Sequence, residues 1–312
     1  MIVTVTLDPA VDEQYLVDAL VPGKWTCARK TLRMPGGRGI NVALMLTQLG
    51  YSAVAMGFLA GFNGEYIRDA LRRANVSTHF VNIQGESRTN VYISTNNKGL
   101  EGTSVYEEGP MVDKRALQRF MANYRRMLNR ASAVVLGGAL PPGVPREIYR
   151  DLSALARQVG LPVYIDAYGS AFLMALETQP RLAKIPDTRI QEIAGEPLLS
   201  IDAYVKAAKK VFDMGIHWSV LAYTDYCTIF ATPDGIYSAT IPHEESAASF
   251  FNTRDARMAG IIVADAENMP TETAIRFAMA CAALNSTHLD KNIIGREAVN
   301  TYFRQVKIEK LE

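Results

Sequence analysis

Apolar positions recur along this chain in two alternating rhythms. MIVTVTLDPAVD opens with apolar residues alternating with threonine, the two-residue period of a strand. A polar, turn-rich segment reaches to about Met34. GGRGINVALMLTQLG then sets Ile40, Ala43, Leu44 and Leu46 at helical spacing, and Gly50 supplies a stop. The pair repeats: SAVAMGFL predicts a buried strand, GEYIRDALRRA a helix, AVVLGG a strand, PREIYRDLSALARQVG a helix and PVYID another strand.

Strands alternating with helices need crossover connections, and right-handed crossovers build a mostly parallel sheet flanked by helices on both faces. The predicted fold class is therefore α/β, one domain over residues 1–312. Two segments interrupt the alternation: residues 13–34, and residues 88–108, where RTNVYISTNNKGLEGTSVYEE predicts short strands around an NNKG turn. Together they predict a small β-sheet lid. In open α/β sheets ligands collect at the carboxyl ends of the strands. LDPAVD, GGRG, GGALPPG and IDAYG all follow apolar strand candidates, so they are expected around one crevice.

Composition narrows the function classes. Hydrophobic residues make up 48% and charged residues 21%, an ordinary globular balance. A formal net charge of +1 gives no global field for nucleic acid or an anionic membrane surface, so an anionic ligand would be held locally. Cys27, Cys227 and Cys281 are far apart and lack metal-ligand spacing, which fits reduced thiols and the cytoplasm. No run approaches the roughly 18 apolar residues of a membrane span, and the amino terminus reads as a strand rather than a signal peptide.

Several residues then stand out. Gly36-Gly37-Arg38-Gly39 before a helix permits close backbone approach to a phosphate or sugar oxygen, or else fixes strand-to-helix packing. Asp8 and Asp12 flank the end of the first strand, where a carboxylate accepts from sugar hydroxyls or is a solvated turn acid. Lys24 and Arg88 fall in the two lid segments, as phosphate ligands or as solvated surface cations. Asp255, between a polar turn and an apolar run, reads as an N-cap or as a general base. The four histidines are scattered, with no triad, zinc pattern or metal site.

Taken together these segments resemble the ribokinase-like (PfkB) carbohydrate kinases, in the branch that holds the 1-phosphofructokinases and tagatose-6-phosphate kinases. TLDPAVD is similar to the family's T-L-N-P-A-x-D, PGGRGINVA to P-G-G-K-G-I-N-V, and the R-T-N of Arg88 to Asn90 to R-x-N. D-A-R-M-A-G at Asp255 resembles D-S-M-V-A-G, and the likeness runs through nearly the whole chain. The resemblance implies ATP and magnesium, a ketohexose phosphate as acceptor, and a homodimer formed through the lid. It gives Asp255 the role of the base that deprotonates the attacking hydroxyl. Asp12, Gly36, Gly37, Asn41 and Asn90 would bind the sugar, and Lys24, Arg38 and Arg88 its phosphate. Lys184, Thr224 and Asn285 would face the nucleotide.

The second half departs from the family. Asn252-Thr253-Arg254-Asp255 stands where the family has G-A-G-D, so Arg254 would replace backbone donors at the transferring phosphoryl group. Losing one such donor costs roughly 2.7 to 4 kcal/mol of transition-state stabilisation. Lys184-Ile185-Pro186 stands for K-P-N, Ala222 to Cys227 for S-L-G-x-x-G, and Ala139 for a serine. Two readings follow: a kinase that transfers the ATP γ-phosphoryl group to fructose 1-phosphate, tagatose 6-phosphate or a related ketose phosphate, and a catalytically silent homologue that binds a sugar phosphate as a sensor.

Overall fold

A computed structural model describes residues 1–95, 102–195, 197, 200–241, 253–291 and 295–312 of the chain. Its first part runs β1 (Ile2–Thr6), β2 (Ala10–Val17), β3 (Ala28–Gly36), α1 (Arg38–Gln48), β4 (Ala53–Leu59), α2 (Gly61–Arg73), β5 (Ser77–Asn82), β6 (Arg88–Thr95) and β7 (Thr103–Tyr106). The middle holds α3 (Lys114–Leu128), β8 (Ala133–Gly138), α4 (Ile148–Gln158), β9 (Val163–Ala167), α5 (Gly169–Leu176), β10 (Leu182–Lys184) and α6 (Asp187–Ala194). The last part holds α7 (Ile201–Phe212), β11 (Trp218–Ala222), β12 (Cys227–Thr232), β13 (Gly235–Thr240), α8 (Thr253–Ala266), α9 (Thr271–Ser286), α10 (Gly295–Phe303) and β14 (Lys307–Lys310).

Among the described residues these strands make a large sheet in the order β14-β13-β12-β11-β10-β9-β8-β1-β4-β5. Its pairs from β5 to β11 are parallel, and those from β11 to β14 antiparallel. The expected mostly parallel α/β sheet is thus present, with an antiparallel edge that the alternation did not announce. The pleat sorts β4 cleanly: Ala53 and Ala55 join the apolar layer that contains α1, α8 and α9, while Val54, Met56 and Phe58 join the layer of α3, α4 and α5. The small residues let α1 lie close over the sheet centre, and Thr6 at the end of β1 fixes it there by accepting the Ile40 N–H at 2.9 Å. That contact sets the start of α1 at the carboxyl ends of the parallel strands, where a ligand belongs.

A separate sheet in the order β3-β2-β6-β7 stands over this end. Its strands reach beyond the segment 13–34, because Ala10 pairs with Gly36 and with Arg88 across β2. Asp12 therefore sits inside a strand and is 2% exposed, not a solvated turn acid. The NNKG turn falls outside the described residues. No helix among the described residues is long and apolar enough to cross a membrane.

Candidate active site

Beneath the small sheet lies a cavity of about 600 Å³, lined by residues from β2, β6 and β7 on one side and from the strand ends of the large sheet on the other. Register builds the wall under the small sheet. Asp12 on β2 stands opposite Asn90 on β6, so Asn90 Nδ2 donates to Asp12 Oδ1 at 2.7 Å. Arg88, two residues before Asn90 and on the same face, donates to Asn90 Oδ1, reaches the Asp8 carbonyl at 3.1 Å and pairs with the Asp8 carboxylate at 2.7 Å. Burial pushes the Asp8 carboxyl up, and Arg88 counters only part of that rise. Tyr92 and Tyr106 close the wall edge to face, 5.7 Å between ring centres.

The floor requires glycine. A Cβ on Gly36 would lie 2.3 Å from Asp12 Oδ2, so the carboxylate occupies the space of the missing side chain. Gly37 has φ of 115°, in the region that favours glycine, and a Cβ there would meet the Thr6 methyl at 2.4 Å. From this turn α1 carries Arg38 and Asn41 toward Asp255. Arg38 Nη1 donates to Asp255 Oδ1 at 2.9 Å, and Asn41 Nδ2 donates to Oδ2 at 2.7 Å.

Asp255 is 1% exposed and lies in the first turn of α8, whose first described residue is Thr253; it is not the N-cap. Helix starts present backbone N–H groups and a positive dipole end to anions. Arg254 and Asp255 both line the cavity, so α8 turns that end toward it. Asn252, the first residue of the altered G-A-G-D segment, lies outside the described residues. Lys291, from the loop after α9, donates to Asp12 Oδ2 at 2.6 Å, Asn41 Oδ1 at 2.8 Å and the Pro35 carbonyl at 2.5 Å. Its sequence signal is nil, since it lies 279 positions from Asp12 in an unpatterned loop.

Lys184 ends β10 and donates to Asp166 Oδ2 at 2.5 Å at the end of β9. Burial, reinforced by the Arg38 charge, pushes the Lys184 ammonium down to about 8 despite Asp166. Burial also opposes the Asp166 carboxylate, but Lys184 and Arg38 outweigh it and hold Asp166 below the usual range. Tyr168, on the same turn, accepts from Arg38 Nε at 2.7 Å. Asp166 and Tyr168 were not singled out by sequence, although their IDAYG turn was, and strand-end position was the available signal.

The structure thus gathers Asp12, Gly37, Arg38, Asn41, Arg88, Asn90, Arg254 and Asp255 on one cavity, with Gly36 against Asp12. It leaves Lys24 on the exposed β2–β3 connection, outside that wall. Thr224 turns its hydroxyl onto its own loop, accepting from the N–H groups of Tyr226 and Cys227, while the neighbouring Asp225 lines the cavity. Asn285 is buried in α9 away from the wall, and its Nδ2 makes no hydrogen bond. Among the described residues no group of three His, Cys, Asp or Glu side chains could hold a metal ion.

Such a site holds a buried carboxylate beside a helix start, amides and a second carboxylate of the kind that bind hydroxyls, and guanidinium groups of the kind that meet an anion. The sequence pattern of the pfkB family carbohydrate kinases matches residues 16–293. A 1-phosphofructokinase of Bacillus subtilis (strain 168) is 28% identical over 311 residues, covering 100% of both proteins. A possible 1-phosphofructokinase from Thermotoga maritima, solved as a crystal structure, superposes with a TM-score of 0.90 at 28% identity over 100% of both chains. Phosphofructokinase-2 from Escherichia coli in complex with fructose-6-phosphate shares the fold, with a TM-score of 0.83 at 22% identity over 97% of this chain and 98% of that one.

Proposed function

Because the chain belongs to the pfkB family of carbohydrate kinases, we propose that it is a cytoplasmic sugar-phosphate kinase that transfers the ATP γ-phosphoryl group to a hydroxyl of a ketohexose phosphate, with fructose 1-phosphate the first candidate. The observation that carries this reading is the placement of Asp255: buried, in the first turn of α8, held by Arg38 and Asn41, and facing the same cavity as the Asp12–Asn90–Arg88 row.

Each residue has a task in this reading. Asp12, Asn90 and Asn41 meet sugar hydroxyls, and Arg88 holds the sugar's own phosphate. Arg38 and Asn41 each use one lone-pair direction of an Asp255 oxygen, leaving room on the carboxylate for the attacking hydroxyl. Asp255 takes that hydroxyl's proton as its oxygen bonds to the γ-phosphorus; the bond from that phosphorus to the β–γ bridging oxygen breaks, and ADP leaves. Arg254 and the start of α8 stand beside the transferring group and stabilise its charge.

When bound, ATP would supply the phosphoryl group and magnesium would neutralise its charge. The described residues do not build a protein cage for the metal. Exposed Val21, Trp25 and Val105 on the small sheet and its connection favour pairing of two chains through that sheet. Incubation with ATP and a panel of ketohexose phosphates, followed by phosphorus NMR, tests the substrate class: a bisphosphate is expected from fructose 1-phosphate, and no new phosphate ester from any of the panel would overturn it.

A further inference from the structure

Four buried acids at or beside the cavity come with basic partners: Asp8 with Arg88, Asp166 with Lys184, Asp255 with Arg38, and Asp12 with Lys291. The first three bases stand on the ends of strands or on α1 at the site. Lys291 comes from behind, through the loop after α9, and does not line the cavity. It is only 5% exposed, and its ammonium ends on three oxygen acceptors, the Asp12 carboxylate, the Asn41 amide and the Pro35 carbonyl.

These contacts decide more than packing. An asparagine amide has an acceptor end and a donor end. With Lys291 donating to Oδ1, the donor end of Asn41 must face Asp255, as it does at 2.7 Å. Turning the amide over would set two donors against each other at Lys291 and two acceptors at Asp255. At Asp12 the same ammonium fixes Oδ2 and leaves Oδ1 to Asn90, which in turn receives Arg88. A carboxylate that is 2% exposed, close to where an anionic substrate enters, also needs its charge matched.

We propose that Lys291 is a positioning residue for both ends of the reaction: one ammonium orients the sugar-binding carboxylate of Asp12 and, through Asn41, the base Asp255. The inference rests on the sugar-phosphate kinase reading for its consequence in turnover, but its geometry stands independently. Removing Lys291 leaves Asp12 buried and unpaired and frees the Asn41 amide to rotate.

The test uses full-length Lys291→Met, with Lys291→Gln as the milder variant should the first fail to fold, both checked by circular dichroism. Calorimetric titration with fructose 1-phosphate is expected to show affinity weakened about 30-fold or more, the loss typical when one partner of a buried ion pair is truncated. A lower kcat is expected in addition, because Asp255 loses its orientation. In Lys291→Ala, methylammonium is expected to restore binding, whereas tetramethylammonium, too large for the vacated space, is not. A folded variant that binds fructose 1-phosphate within twofold of the unmodified protein overturns the proposal. If the unmodified protein binds no sugar phosphate, the kinase reading fails on its own, and the crystal structure of the variant still decides: an Asn41 amide turned from Asp255 supports the inference, and unchanged Asp12, Asn41 and Asp255 contradict it.

Discussion

The two walls of the cavity are organised by opposite means. On the wall proposed to face the sugar the polar side chains hold one another, Asp12 to Asn90, Asn90 to Arg88, and Asn41 with Arg38 to Asp255, while Lys291 braces Asp12 from behind. On the side proposed to face the nucleotide the groups are engaged away from it. Lys184 is drawn onto Asp166, Thr224 caps its own turn, and Asp225 presents a carboxylate to the cavity, which would repel a triphosphate. The lesson is that preorganisation is built into the acceptor side, while the donor side depends on groups that must exchange partners when a polyanion arrives.

That contrast breaks first at the Asp166–Lys184 pair. Asp166→Asn leaves a buried lysine without its counter-charge, a change that costs about 3 to 5 kcal/mol where the charge cannot be shed. Asp166 is held below the usual carboxylate range, so the stability it contributes is present above that range and lost as pH falls through its lowered value. Asp166 holds the Lys184 value up at about 8, so in the variant the lysine sheds its proton below that pH, and the penalty is expected to shrink as pH rises towards 8. Urea denaturation at pH 6 and pH 9 reads both effects.

Arg88→Ala should raise the KM for sugar phosphate about 30-fold or more while changing kcat little, since it removes a largely covered, paired guanidinium proposed to hold the acceptor's phosphate. A steady-state split that fell on kcat alone would move Arg88 from binding to chemistry. On the donor side, kcat/KM for ATP should fall about tenfold per pH unit above about 8, as Lys184 loses the proton that attracts phosphate. Lys184→Arg, which stays charged, should remove that limb. The smallest effect is expected from Asp225→Asn: relieving like-charge repulsion at an exposed position should lower the KM for ATP about two- to fivefold. An increase instead would mean that Asp225 serves the donor complex.

Local patterns carried much of this in the sequence. The strand and helix periods gave the parallel half of the large sheet because burial on both faces leaves continuous apolar runs such as β4. They did not give β12 to β14, whose antiparallel pairing depends on partners far along the chain. At the site, LDPAVD and GGRGIN were legible because their spacing is fixed by the end of β1 and the start of α1. The use of Asp12 was not: whether it is solvated or buried depends on Asn90 and Lys291, brought to it by register and by a distant loop. Lys24 and Thr224 show the converse: residue type for Lys24 and the family resemblance for Thr224 suggested ligand contacts, and the local chain leaves each elsewhere.

The altered segment before Asp255 bears on the central claim most heavily. Glycines give room for an anion, but the donors at a helix start are backbone N–H groups that any residue but proline carries. The most direct measurement is ADP release with fructose 1-phosphate and ATP by the unmodified protein beside Asp255→Asn. Turnover that falls about 10²- to 10⁴-fold on substitution, with sugar-phosphate affinity nearly unchanged, is the predicted result for a general base. Equal release by both proteins, or none by the unmodified protein while it still binds the sugar phosphate, would contradict it.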